Sequence, residues 1–249
     1  MGTVASLHIV SYTDTAEDDT RDLIDASCEV LHLADEKFST FKPESELTQF
    51  RDGRLKLDKV SDELLEVLQL CDQVKRITLG WFDPWAMAGG FDPTGLVKGW
   101  ATRNSLQLLR QPGIIGAMVN VGGDICIFGQ SVQGTQWNVG IQHPWLPNSL
   151  ACSIEIDSAI ATSGVYERGS HLFDPFAHEP VSRLASASVI GPDLALADAF
   201  ATALCVQGVD GLEWINSLAD YDAYIITNEG REYSTAGIRF VDPSENHTG

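Results

Sequence analysis

The chain has 249 residues, 44% of them apolar and 20% charged, enough to bury one substantial core or two subdomains that share one. Its 35 acidic against 16 basic side chains give a net charge of −19, a far field that repels nucleic acid and anionic lipid and excludes both as principal partners. An anionic ligand must then be met locally, by backbone amides, a few placed cations or a bound metal.

The segment Met1 to His8 has no basic stretch followed by an apolar one and no lipidation cysteine, so the chain is expected to be cytoplasmic. No apolar run approaches the roughly 18 residues that span a bilayer, and no membrane insertion is expected. Residues 4–12 alternate as a strand does, and Ala16 to Phe38 places Leu23, Ile24, Cys28, Leu31, Leu33 and Phe38 as a helix lying on a sheet would. Ser61 caps a second helix that runs to about Ile77 and is closed by Gly80. From Gly80 to Gly99 the density of Gly, Pro and aromatic residues predicts a shaped loop, followed by a helix to about Leu109. Met118 to Phe128 reads as strand, Gly122-Gly123 break, strand; the break is explained either by a hairpin turn or by close approach of a ligand. Further strands are expected around 136–142, 151–157, 159–162 and 186–190, then a helix over 194–207 and a terminal hairpin about Asn228-Glu-Gly230. The five cysteines, Cys28, Cys71, Cys126, Cys152 and Cys205, lack CxxC spacing and are expected as buried, reduced thiols. With no repeat or linker in view, residues 1–249 are taken as one α+β domain.

Two groups of residues carry chemistry. The helix Leu194 to Val206 is apolar on all sides except for Asp198 and Thr202, four apart on one face, and no Lys or Arg lies within a turn of the carboxylate. A hard cation with oxygen ligands would account for the pair; so would an Asp near a helix start with a Thr bonding back to a carbonyl. The second group follows a strand: Ala161-Thr-Ser-Gly164, then His171 and Asp174, a pairing suited to moving a proton at neutral pH or to a structural role. Ser163 is not in a GxSxG elbow, which argues against a serine hydrolase.

In order along the chain, Phe38-Ser-Thr-Phe41, Phe82-Asp83-Pro84, Asp92-Pro-Thr-Gly-Leu-Val-Lys-Gly99, Asn120-Val-Gly-Gly-Asp124, Ala161-Thr-Ser-Gly164, His171-x-x-Asp-Pro175 and Ala197-Asp-x-x-Ala-Thr202 resemble the motif set of the ApbE family of FAD:protein FMN transferases. The resemblance implies a T-fold-like α+β architecture of antiparallel sheets with packed helices, and FAD in a cleft between subregions. It also implies a Mg²⁺ ion near the diphosphate, held by Asp198, Thr202 and the backbone carbonyl of Gly95. Trp81, Phe82 and Asp83 would line the flavin nucleotide site with Asp92 and Lys98 beside it, an ammonium there offsetting the acidic surface. Gly122, Gly123, Asp124, Thr162 and Ser163 would also meet the cofactor, His171 would act in proton transfer, and Asp174 would support it. The implied reaction joins FMN to a Thr or Ser of a target protein and releases AMP. Hydrolysis of FAD to FMN and AMP, or flavin binding without turnover, are the alternatives. The chain departs from the family pattern at Ala177 and His178, where Thr and Gly are usual, at Arg51 in place of an Asn, and at Thr94 in place of a glycine.

Overall fold

The computed structural model describes residues 3–12, 17–87, 89–132, 134–164, 172–181 and 183–241. Its frame is a seven-stranded antiparallel sheet in the order β1 (Ala5–Ser11), β2 (Ile114–Val121), β3 (Asp124–Gly129), β6 (Ala159–Gly164), β9 (Leu184–Gly191), β10 (Asp222–Thr227) and β11 (Glu232–Ser234). A separate ribbon pairs β4 (Trp137–Gln142) with β5 (Leu150–Ile156), and two short strands, β7 (Phe173–Asp174) and β8 (Glu179–Pro180), form a hairpin.

Each face of the large sheet has its own core, as the period of two along a strand requires. On one face Val119, Val121, Cys126, Ala159, Ala161, Ala187, Val189 and Ala223 pack with helices α1 (Glu17–Phe38), α3 (Asp62–Ile77), α4 (Thr94–Leu108) and α5 (Leu194–Gln207). The small side chains at Ala159, Ala161, Ala187 and Ala223 suit the close packing of the alanine-rich α5 against the sheet. On the other face Ile125, Ile127, Ile160, Tyr224 and Ile226 meet Trp137, Val139, Ile141, Ile154 and Ile156 of the ribbon. With both faces covered, β6 is buried along its whole length, which explains why its sequence shows no alternation of apolar and polar residues.

Most of the sequence-predicted elements form at or near their predicted bounds. Ser61 caps α3 by accepting a hydrogen bond from Leu64 N. The principal departure is the stretch read as loop up to Gly99, since α4 already begins at Thr94. Asp92 Oδ1 accepts from Thr94 N at 3.1 Å, and Pro93 sits at the N-cap, where its missing N–H costs nothing. Helix α2 (Glu46–Arg51) and helix α6 (Leu212–Asn216) were not anticipated; at six and five residues they are too short for a periodic signal.

The Gly122-Gly123 break is a hairpin turn. Val121 pairs with Asp124, and the two glycines between them have φ of +59° and +92°, the two left-handed residues of a type I′ turn. Gly123 N donates to Asn120 Oδ1 at 3.0 Å, and Gly122 N to Val4 O at 3.0 Å. All five cysteines are free; Cys71, Cys126 and Cys205 are buried, whereas Cys28 and Cys152 are only half-buried, a partial correction to the expectation of five buried thiols. No helix among the described residues is long and apolar enough to cross a membrane.

Candidate active site

A cavity of about 90 Å³ opens where the N-terminal part of α4, the middle of α5, the end of β6 and the segment 81–92 converge. That volume holds an ion with several waters, or a phosphate group, and is smaller than a pocket for a whole small-molecule ligand. Trp81, Phe82, Asp83, Asp92, Gly95, Lys98, Ser163, Asp198 and Thr202 all line it, so residues that span more than 120 positions of sequence meet in one place.

The 81–92 wall hangs from the end of α3. Thr78 Oγ1 donates to Val74 O at 2.9 Å and accepts from Phe82 N at 3.1 Å, which fixes where the chain leaves the helix. Asp92 N closes the loop on Pro84 O at 2.9 Å. Asp83 is committed within this wall: Lys75 Nζ lies 2.7 Å from its Oδ2, and Trp85 N donates to Oδ1 at 3.0 Å. Trp81 stacks edge-on against Phe176, ring centroids 4.7 Å apart, and the Arg183 guanidinium lies over its ring.

The opposite wall is set by the approach of α4 to α5. A Cβ at Gly99 would stand 2.4 Å from Leu194 O, so only glycine permits this separation. Gly99 N donates to Asp198 Oδ2 at 3.2 Å. Gly99 is four residues beyond Gly95 in α4, and because a carbonyl oxygen has two lone pairs, the Gly95 carbonyl can accept a helical N–H and still have acceptor capacity to spare. A Cβ at Gly95 would lie 3.0 Å from Thr202 Oγ1, which places the Gly95 backbone against that hydroxyl. Thr202 Oγ1 is 3.3 Å from Ser163 Oγ, and Cys205 Sγ donates to Ser163 O at 3.1 Å.

Asp198 is 3% exposed and is not the cap of its helix; Asp193 is, accepting from Ala195 N and Leu196 N. Burial first, then the charge of Asp124, push the Asp198 carboxyl well above the usual carboxylate range. Asp124 is raised too, by burial, although the Lys98 ammonium acts against this. Lys98 Nζ stands 3.0 Å from Asp124 Oδ2, within ion-pair range, while Oδ1 accepts from Thr162 N at 3.3 Å. The cationic neighbour that α5 lacks in its own sequence is therefore supplied by α4.

Gly95 backbone, Asp198 and Thr202 together offer carbonyl, carboxylate and hydroxyl oxygens on one wall. This donor set fits a hard divalent cation that keeps part of its water shell. No cluster of three or more His, Cys, Asp or Glu occurs among the described residues, and a site of this kind, with one carboxylate, does not need one.

Residues 1–89 and 87–225 match the family model described as the ApbE family. The chain belongs to the ApbE family. It is 32% identical over 149 residues to the FAD:protein FMN transferase of Escherichia coli K12, covering 55% of this chain and 42% of that protein. It is 34% identical over 142 residues to the protein of that name from Rhodobacter capsulatus, covering 53% and 27%. The match thus spans less than half the length of these curated relatives. Among solved structures, the flavin transferase ApbE from Vibrio cholerae superposes with a TM-score of 0.80 at 22% identity over 95% of this chain and 94% of that one. The ApbE protein from Thermotoga maritima gives 0.79 at 20% identity, over 94% and 96%. Both likenesses concern the fold.

Within this ApbE-family chain, the sequence-predicted residues divide by position. Gly122 and Gly123 do not line the cavity, and their turn contacts Thr3, Val4 and Asn120. Thr162 turns its hydroxyl to Ser188 Oγ, 2.8 Å away on the ribbon side of the sheet, and only its backbone N–H serves the site, through Asp124. Asp124 is wholly buried behind Lys98. Asp174 also lies outside the lining: its Oδ1 accepts from Phe176 N and Ala177 N at 2.9 and 3.0 Å, and Arg183 Nη2 is 2.7 Å from its Oδ2. Burial opposes its ionisation, but those N–H groups and Arg183 prevail and hold its carboxyl below the usual range. His171 lies outside the described residues. Sequence reasoning missed Met87, Leu172 and Phe173, which add apolar lining, and Thr78, which aligns the wall. Isolated apolar residues in loops and two-residue strands carry no periodic signal, whereas a Thr just after the end of a helix, at the mouth of a Gly- and aromatic-rich loop, is a signal that was available.

Proposed function

We propose that this chain is a Mg²⁺-dependent FAD:protein FMN transferase, which cleaves the diphosphate of FAD and joins FMN to a Thr or Ser hydroxyl of another protein. The observation that carries this reading is the cavity in which the Gly95 backbone, Asp198 and Thr202 present oxygen donors beside the Lys98 ammonium, with Trp81, Phe82 and Asp83 on the facing wall. Family membership and the names of the relatives support the same activity.

In this reading Asp198, Thr202 and the Gly95 carbonyl hold Mg²⁺, which when bound draws charge from the diphosphate and makes AMP a better leaving group. Lys98 adds a second positive charge at the diphosphate and counters the acidic surface that would otherwise repel it. The 81–92 wall, fixed by Thr78 and by the Lys75–Asp83 pair, orients the flavin half and keeps water from that side. The acceptor hydroxyl oxygen forms a bond to the FMN phosphorus as the bond from that phosphorus to the bridging oxygen breaks, and AMP leaves with the bridging oxygen and the electron pair. His171 takes the hydroxyl proton. Asp174 acts by anchoring the 173–180 hairpin rather than by touching the reacting atoms.

The test is a mixture of the protein, FAD, Mg²⁺ and polypeptides that present an exposed Thr in a short loop, read by mass spectrometry and nucleotide chromatography. FMN covalently on the polypeptide with equimolar AMP is expected. Free FMN with AMP and no adduct would make the chain a hydrolase, and intact FAD would make it a flavin-binding protein.

A further inference from the structure

We propose that Asp124 is a positioning residue: it holds the Lys98 ammonium in the cavity wall and away from Asp198, leaving the Asp198 carboxylate open to a divalent cation, and it makes no contact of its own with the dinucleotide. This rests on the reading of Asp198 as a metal ligand.

Four observations carry it. Asp124 is 0% exposed and absent from the cavity lining, so a ligand in the cavity meets Lys98 first. Its Oδ1 is pinned by Thr162 N from the neighbouring strand, which fixes the carboxylate, and its Oδ2 lies 3.0 Å from Lys98 Nζ. The charges of Asp124 and Lys98 both act on Asp198, and Lys98 pairs with Asp124, so one ammonium lies near two carboxyls. Lys98 is also the residue before Gly99, whose N–H seats Asp198 at 3.2 Å; the same turn of α4 that holds the carboxyl delivers its strongest competitor for a cation. An ammonium shared between two carboxyls goes to the one better placed, and the rigid, Thr162-pinned Asp124 is that one. A carboxylate one position beyond a tight hairpin turn does this without any flexible segment, because the type I′ turn at Gly122-Gly123 fixes where the strand begins.

The partner roles make opposite predictions for three variants of the full chain, free of flavin and metal at the outset. In Asp124→Asn the shape is kept but the anchoring charge is lost, so Lys98 moves to Asp198; Mn²⁺ affinity, measured by calorimetry, falls about 10–100-fold, the range seen when partners that orient metal ligands are removed. In Asp124→Asn/Lys98→Met the competitor is gone and most of that affinity returns, a non-additivity that a purely structural Asp124 would not give. Lys98→Met alone binds Mn²⁺ at least as tightly as the parent. A crystal structure of the metal-free Asp124→Asn protein reads the lysine directly, without reference to any activity. Lys98 within ion-pair range of Asp198 is expected there. Lys98 unmoved in that structure overturns the proposal, as does a Mn²⁺ loss that persists undiminished in the double variant or a weaker site in Lys98→Met. A parent protein that binds no Mn²⁺ overturns the metal reading of the preceding section, and the position of Lys98 in the Asp124→Asn structure still decides the role of Asp124.

Discussion

Replacing Gly99 by alanine tests whether the contact of α4 with α5 is what builds the cavity. The added Cβ would stand 2.4 Å from Leu194 O, 2.8 Å from Leu194 C and 3.0 Å from Ala195 Cα, all backbone atoms that no rotamer change can move. Restoring ordinary contact requires the two helices to part by about 1 Å, and overpacking of this kind costs about 1–3 kcal/mol. Alanine returns about 1 kcal/mol through helix propensity, so a net destabilisation of up to about 2 kcal/mol is expected. The larger effect falls on function. The Gly99 N to Asp198 Oδ2 distance is already 3.2 Å, and about 1 Å more breaks it, shifting the carboxylate on which the proposed metal site depends. A displacement of that size typically lowers turnover by about 10²-fold. Denaturant unfolding of the metal-free protein and initial rates of FMN transfer at saturating FAD measure the two terms separately. A Gly99→Ala protein more stable than the parent, with parental turnover, would refute the view that this close approach seats Asp198.

Asp198→Ala is expected to abolish transfer across a Mg²⁺ titration while leaving the melting temperature equal or raised, because a buried carboxyl with a raised pKa contributes little to folding; turnover at ordinary Mg²⁺ would sink the assignment. His171→Ala is expected to slow turnover by about 10²–10⁴-fold with FAD affinity little changed, read by steady-state kinetics beside a flavin fluorescence titration; lost binding with chemistry preserved would make it a ligand contact. Asp174→Asn should be less stable than the parent at neutral pH. The native carboxyl is held below its unfolded value, so its contribution is full above about pH 4 and is lost as pH falls through the lowered native pKa. Melting curves between neutral and acid pH should therefore converge for the two proteins, and a gap that stays constant with pH would argue for packing rather than charge.

The sequence by itself determined the elements and much of the site's membership. Periodicity located α1, the Ser61 cap and Gly80 bounded α3, a continuous alanine-rich apolar run marked α5, the glycine pair marked the break between β2 and β3, and a lone carboxylate and hydroxyl four apart on that apolar helix marked Asp198 and Thr202, because a charge in such a setting is anomalous wherever the helix packs. Short motifs named Lys98 and Gly95 through family likeness. Which of these side chains face one another was decided only by the tertiary structure. Thr162 and Ser163 are adjacent in sequence, yet the strand sends the first to Ser188 on the ribbon side and the second to Thr202 in the cavity. Asp198 has no basic neighbour in its own helix, and its compensation by Lys98 depends on a helix 100 residues earlier brought close by Gly99. Asp124 carries the motif of a ligand-binding residue but lies behind Lys98, because burial and ion pairing are set by the three-dimensional meeting of β3, β6, α4 and α5, and no local pattern encodes a contact between segments so far apart in the chain.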